Sequence, residues 1–315
     1  MTDRTVAVLA GGLSHERDVS LRSGRRLTTA LREAGLHVEE WDVDATLVDR
    51  LTGRRPDAVV VALHGGAGEN GAVQSVLEML QVPYVGTDPH ACRRAWDKPT
   101  AKAELARAGL STPDWITLPH AIFRDLGAPA VLHALVTHLG LPLFLKPDQG
   151  GSALGAQVVR DVADLPAAMV GCLAYGDTVL AEKYIEGIEV AVTVLDEEEG
   201  PRALPAVEID AQSGFYDYAA RYTAGLATFH APARLTGAAA AAAADLAVAA
   251  HQLLGLRDVS RTDAMVTPDG VAHFLEVNVA PGLTETSLLP MAIEADGTEL
   301  GTVFAELVER AVARG

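Results

Sequence analysis

The chain has 315 residues and carries 25 Lys and Arg against 42 Asp and Glu, a net charge of −17, with 49% hydrophobic residues. That length is enough for two or three domains, each with its own core. The acidic balance excludes broad nucleic-acid binding but leaves room for a local basic pocket for one anionic ligand.

The first third alternates strand and helix. TVAVLAGG reads as a buried strand ending in glycines, and SLRSGRRLTTALREAG as an amphipathic helix closed by Gly35. LHVEEWDV is a second strand, DAVVVALHGGAGENG a third, AVQSVLEMLQ a helix and VPYVG a short fourth strand. Strands separated by helices imply right-handed crossovers and a parallel sheet. Ligands on such sheets bind beyond the carboxyl ends of the strands, where 11-GGLSHERD-18 and 64-HGGAGENG-71 fall.

The pattern shifts near residue 95. DKPTAKAELARAG reads as a helix, STPDWITLP as a proline-punctuated connection and AVLHALVTHLG as a helix. In 143-LFLKPDQGGSALGAQVV-159 two strands flank a glycine loop, and 179-VLAEKYIEGIEVAVTVL-195 reads as a further strand pair. Residues 208–232 mix polar and aromatic side chains without a sustained period. An irregular stretch of that length suggests a functional lid, with Phe215, Tyr216, Tyr218 and Tyr222 to pack it down. The alanine-rich run 238–255 is a strong helix former and scaffold, and TELGTVFAELVERAVARG closes the chain as a helix.

Chemistry concentrates in a few places. A glycine loop lets backbone N–H groups approach phosphate oxygens, and Lys146 beside it supplies the counter-charge; the same pattern also fits a plain hairpin. Lys98, after Asp97, opens a helix and either reaches that site or is solvated. Glu182 and Glu189 flank YIEG, as ribose acceptors or exposed charges. In 274-FLEVNVAPGLTETSLLP-290, Glu276 and Asn278 stand two apart and share a strand face. A hairpin with VSRTDAMV sets Asp263 beside them, and three oxygen ligands on rigid strands suit Mg²⁺ rather than zinc. Cys92 and Cys172 lack zinc spacing and are read as buried thiols. No apolar run approaches the roughly 20 residues of a membrane helix, and the chain enters a strand without a signal segment. A soluble cytoplasmic protein is expected.

Taken in order, 11-GGLSHERDVSLRSG-24, 64-HGGAGENGAVQ-74, 146-KPDQGGSALG-155, 215-FYDYAARY-222, 261-RTD-263 and 276-EVNVAPGLTETSLLP-290 resemble the D-alanine–D-alanine ligases, members of the ATP-grasp superfamily. The resemblance implies a mixed α/β and α+β fold. A Rossmann-like parallel sheet in residues 1–95 precedes two ATP-grasp subdomains, 96–180 and 181–315, the second holding the metal site and lid. It implies that ATP phosphorylates the carboxylate of a first D-alanine, that the amine of a second attacks the acyl phosphate, and that phosphate leaves. Lys98, Lys146 and Arg221 would contact ATP phosphates. Glu182, the backbone of Lys183, Tyr184 and Ile185, and Glu189 would hold adenine and ribose. Asp263, Glu276 and Asn278 would bind two Mg²⁺ ions, or Mn²⁺. Arg261 and the N–H of Gly282 would stabilise the oxyanion. Glu16 would bind the first ammonium, His64 would lie near that substrate, and Ser287 and Leu288 would receive the second carboxylate. Tyr222 and Ser152 would join Glu16 in a trio that locks the lid. A homodimer acting in peptidoglycan precursor synthesis, with no nucleic-acid or membrane partner, is implied as well.

Three positions depart from the family pattern: Arg221 replaces a lysine, Ala153 a serine, and Asn70 an aspartate. They leave the acceptor less fixed than the reaction type. A related ligase joining other amino or hydroxy acids and a nucleotide-binding regulator remain as alternatives; intact Arg261, Asp263, Glu276 and Asn278 oppose the second.

Overall fold

The computed structural model describes residues 4–211, 216, 221 and 225–315, which form three sheets. The first is parallel, in the order β2-β1-β3-β4, from β1 (Thr5–Ala10), β2 (His37–Asp42), β3 (Ala58–Val61) and β4 (Tyr84–Val85). Both faces of β1 are buried because helices cover each side. Helix α1 (Arg17–Glu33) turns Ser20, Gly24, Leu27, Thr28 and Leu31 inward, the spacing of one helical face. Helices α2 (Leu47–Gly53) and α3 (Ala72–Met79) fill the other connections.

After α4 (Pro89–Trp96) and α5 (Lys98–Arg107), a second, antiparallel sheet runs β5-β8-β6-β7. Its strands are β5 (Trp115–Pro119), β6 (Leu143–Pro147), β7 (Gln157–Val159) and β8 (Thr178–Lys183). Here the structure corrects the expected connection 111–119, because Trp115–Pro119 is an edge strand paired with β8 alone. Prolines are tolerated at such edges. Helix α6 (His120–Leu126) follows β5, and α7 (Ala128–Leu139) and α8 (Leu165–Leu173) pack on one face of the sheet, against Leu143, Leu145, Val179 and Ala181. The opposite face keeps Phe144, Lys146 and Glu182.

The third sheet has the order β12-β11-β9-β13-β14 with β10 on the same edge of β9 as β11. Its strands are β9 (Ile188–Glu197), β10 (Gly200–Ala203), β11 (Val207–Ala211), β12 (Ala227–His230), β13 (Val259–Val266) and β14 (Ala272–Asn278). Two further expectations change. β8 and β9 do not pair with each other: the 184–187 connection carries the chain from the second sheet to the third. The two ends of segment 208–232 are strands, with Ile209 opposite Phe229 and Glu208 opposite His230. Polar Glu208, Asp210, Thr228 and His230 share the other face, a period-2 signal diluted by charge. The lid aromatics Phe215, Tyr218 and Tyr222 lie outside the described residues.

Helices α4, α5 and the alanine-rich α9 (Gly237–Leu253) cover one face of the third sheet. Helices α10 (Leu288–Ala295) and α11 (Leu300–Arg314) join Val6, Val8, Leu27 and Val60 of the first layer to Leu195, Val207 and Ile209 of the third in one core. Among the described residues, no helix is long and apolar enough to cross a membrane.

Candidate active site

The site forms between the free faces of the second and third sheets, and a β-bulge aims its acidic residues. In β14, strict alternation would put Phe274 and Glu276 on one face. The register instead slips between Asp263 and Ala264, which pair with Glu276 and Phe274, so Leu275 is the extra residue. Phe274 and Val277 therefore both enter the core against α4, α5 and α9, whereas Glu276 and Asn278 face the cavity. The same bulge frees the Leu275 carbonyl, which accepts from Lys146 Nζ at 3.2 Å.

Two adjoining cavities, about 430 and 460 Å³, share Glu16, Lys98, Gly150, Gly151, Arg221 and Glu276 along their common wall. The first takes Lys146, Glu182 and Lys183 from the second sheet, Tyr184 and Ile185 from the connection, and Glu189, Asp263 and Met265 from the third. Lys98 is not solvated. It is 7% exposed and donates to Gly150 O at 2.7 Å, with Glu276 Oε2 3.7 Å away. Asp97 starts its helix by accepting from Thr100 N. Lys146 lies 3.0 Å from Glu182 Oε2. Burial works against the charge of both, but their pairing outweighs it, holding the lysine above and the glutamate below the usual range. Glu276 is likewise opposed by burial, yet Lys98, Lys146, Arg221 and Arg261 hold it down at about 2.

Asp263 and Glu276 are cross-strand partners, as are Arg261 and Asn278. Arg261 and Asp263, two apart on β13, also share a face, and Arg261 Nε and Nη2 donate to the Asp263 carboxylate at 2.7 and 2.8 Å. Asn278 Oδ1 accepts from Ala280 N at 2.8 Å and keeps a second lone pair. These hard oxygens, with Glu276 ionised, suit a small divalent cation. Arg221 stacks on Tyr216, 4.3 Å from the ring centre, and Tyr216 meets Phe229 edge-on at 5.7 Å.

The second cavity is walled by Glu16, His64, Glu69, Arg261, Gly282, Ser287 and Leu288. The Ser152 hydroxyl donates to Glu16 Oε1. Gly65 has φ +68°, and any Cβ there would collide with Glu16 Oε2, while one at Gly151 would come within 3.0 Å of it. His64, 4% exposed, uses both nitrogens. Nδ1 must donate to Ala280 O at 3.0 Å, so Nε2 accepts from the Ser23 hydroxyl at 2.7 Å, and Ser23 Oγ in turn accepts from Leu283 N at 3.1 Å. Burial lowers its pKa to about 4, keeping it neutral. His64 thus ties the loop around Gly282 to the first sheet. Ser287 Oγ lies 2.8 Å from Thr284 Oγ1 at the start of α10, whose first amide, Leu288, has no intrahelical acceptor.

Two site residues escape sequence reading. Glu69, 7% exposed, bonds Gly65 N at 2.9 Å, and its carboxyl is pushed up to about 8 by burial and by Glu16. The only hint was its place in HGGAGENG. Lys102, fully buried, pairs with Glu182, and its signal was a lysine one helical turn after Lys98. Tyr222 lies outside the described residues.

Two sheets clamping a cavity, lysines from one and carboxylates from the other, define an ATP-grasp protein. The chain matches the family models D-ala D-ala ligase N-terminus over residues 40–87 and D-ala D-ala ligase C-terminus over residues 105–309. A D-alanine–D-alanine ligase of Anaeromyxobacter sp. (strain K) is 40% identical over 309 residues, 98% of this chain and 96% of that one. The crystal structure of D-alanine–D-alanine ligase from Bacillus anthracis superposes with a TM-score of 0.81 at 28% identity, covering 99% of this chain and 98% of that one. The same enzyme complexed with ATP gives 0.81 at 26% identity, with coverage of 99% and 98%. The chain belongs to the D-alanine–D-alanine ligase family.

Proposed function

We propose that this chain joins two D-alanines into D-alanyl-D-alanine, converting ATP to ADP and phosphate by way of an acyl phosphate on the first amino acid. One observation carries the reading. The Arg261–Asn278 and Asp263–Glu276 pairs bring a cationic donor and oxygen ligands to the seam between a lysine-lined chamber and one walled by Glu16, Gly282 and Ser287.

In this reading Lys98, Lys146 and Arg221 receive the nucleotide phosphates. Glu182, the 183–185 backbone and Glu189 receive adenine and ribose. Asp263, Glu276 and Asn278 hold Mg²⁺ or Mn²⁺, which when bound offsets charge on the phosphate oxygens. Glu16, fixed by Ser152 and by its fit against Gly65 and Gly151, binds the ammonium of the first D-alanine, with Tyr222 the third member of that trio. Arg261 commits Nε and Nη2 to Asp263, and among the described residues Nη1 is left for the oxyanion, with the Gly282 amide, which lines the same cavity, as the second donor. The start of α10, at Ser287 and Leu288, takes the second carboxylate, since helix N-termini favour anions. His64 and Ser23 hold the loop that carries Gly282. A cytoplasmic homodimer serving peptidoglycan precursor synthesis belongs to the same reading. So does a division of the chain near residues 95 and 180, supported by sheets that span 5–85, 115–183 and 188–278.

The test is phosphate release with ATP, Mg²⁺ and D-alanine, D-serine or D-lactate as acceptor, with products weighed by mass spectrometry. Release dependent on D-alanine, with the dipeptide formed, is expected. Coupling only to another acceptor would move the assignment to a related ligase. ATP binding without turnover would make the chain a regulator.

A further inference from the structure

Among the described residues Lys102 is one of the largest side chains with essentially no exposure, and an ammonium is the last group expected there without a purpose. It projects from α5 beneath the first cavity. Its Nζ lies 2.6 Å from Glu182 Oε1 and 2.5 Å from Thr112 Oγ1, and 5.0 Å from the centre of the Trp115 ring. The Thr112 hydroxyl in turn donates a hydrogen bond to Phe274 O at 2.8 Å, so the lysine is anchored to the strand that carries Glu276. The other oxygen of Glu182, itself 1% exposed, meets Lys146 Nζ at 3.0 Å. One buried carboxylate therefore stands between two cations. Lys146 lines the cavity and Lys102 does not.

The arrangement has a consequence for any anion entering that cavity. Drawing Lys146 toward the newcomer loosens its contact with Glu182. If Lys146 were the only partner, Glu182 would be left an uncompensated buried charge, a state far costlier than the pair itself is worth. With Lys102 fixed on the far oxygen, that cost does not arise.

We propose that Lys102 is a positioning residue for the nucleotide: a counter-charge held in place against Glu182 that leaves Lys146 free to turn from Glu182 to the phosphates. The inference rests on the nucleotide reading of this cavity. The experiment is calorimetric titration of the full chain with ATP and Mg²⁺, without D-alanine, for the parent, Lys102→Met, Glu182→Gln and the double variant, with melting curves recorded alongside. Lys102→Met should weaken ATP binding by about 10-fold or more while kcat at saturating ATP stays within a few-fold. In the Glu182→Gln background, removing Lys102 should change affinity little, because the charge it balances is gone. Met fills the same space, so a lysine that served only for packing would show equal, additive effects in both backgrounds, and that result overturns the proposal. Parent-like affinity in a folded Lys102→Met protein overturns it too. If that single variant does not fold, the double variant against Glu182→Gln still decides, since any large difference between them contradicts action through Glu182. A parent that binds no ATP would overturn the nucleotide reading along with it.

Discussion

Arg261 is held rigid by Asp263, and this sets what its replacement should do. Lysine keeps the charge but cannot grip the carboxylate through two parallel N–H groups or keep Nη1 at a fixed place. We expect Arg261→Lys to lower kcat by about 10²–10³-fold, the usual loss for a donor at a developing oxyanion, with ATP affinity nearly unchanged in calorimetry. Collapsed ATP affinity with an intact kcat would make Arg261 a nucleotide ligand instead. Glu69 makes a prediction of a different kind. Burial and the neighbouring Glu16 raise its carboxyl to about 8, against the lowering influence of Gly65 N–H, Arg261 and Lys98. A carboxyl that holds its proton more tightly when folded contributes full stability below its unfolded pKa and loses it as pH rises toward 8, by at most about 1.4 kcal/mol per pH unit. Glu69→Gln keeps the acceptor for Gly65 N and cannot ionise. The variant should therefore gain in melting temperature relative to the parent between pH 5 and pH 8. A difference that stays constant across that range would mean Glu69 is not protonated in the fold.

At the scale of elements, the loop that carries Gly282 is fastened to α1 by Ser23, which accepts from Leu283 N and donates to His64. Ser23→Ala would leave a buried amide and a ring nitrogen without partners, costing about 1–3 kcal/mol. Denaturant unfolding should register that loss. Steady-state kinetics should show a raised KM for D-alanine with the ATP response little altered, since the loop borders the second cavity alone. Unchanged stability would mean that water replaces the hydroxyl. Which parts of this could be read from the chain depended on how local the physics was. The β13–β14 hairpin was legible because a short turn joins two apolar strands, and with it the Asp263–Glu276 pairing. The bulge at Leu275 was not, because period-2 reasoning assigns Phe274 and Glu276 to one face and only the core packed against Phe274 separates them. Residues 179–195 read as one strand pair, since nothing local records that Lys183 and Ile188 belong to different sheets. The pairing of Lys102 could not be read because its partner, Glu182, is eighty positions away.

Across the whole molecule, the last two helices act as a fastening. Helices α10 and α11 bury Leu289, Ile293, Phe304, Leu307 and Val308 against both the first sheet and the third. Asp258, 1% exposed, sits at the junction, accepting from Gly86 N at 2.7 Å and from Arg314 Nη1 and Nη2 at 2.7 Å. Arg310 reaches the Asp196 carbonyl at 2.7 Å. The loops that follow β1 and β3 of the first sheet contribute Glu16, His64 and Glu69 to the site while the third sheet contributes Arg261, Asp263, Glu276 and Asn278, so the shared core keeps the two halves of the second cavity in register. Phe304 is 3% exposed in that core. Phe304→Ala should cost about 3–5 kcal/mol, the usual range for a buried aromatic, and lower the melting temperature by roughly 5–10 °C. Because the core is common to both sheets, calorimetry should record one displaced transition. Two separated transitions, with the early one confined to the first sheet by hydrogen exchange, would mean that the halves fold independently and that the cavity between them is held by its ligands alone.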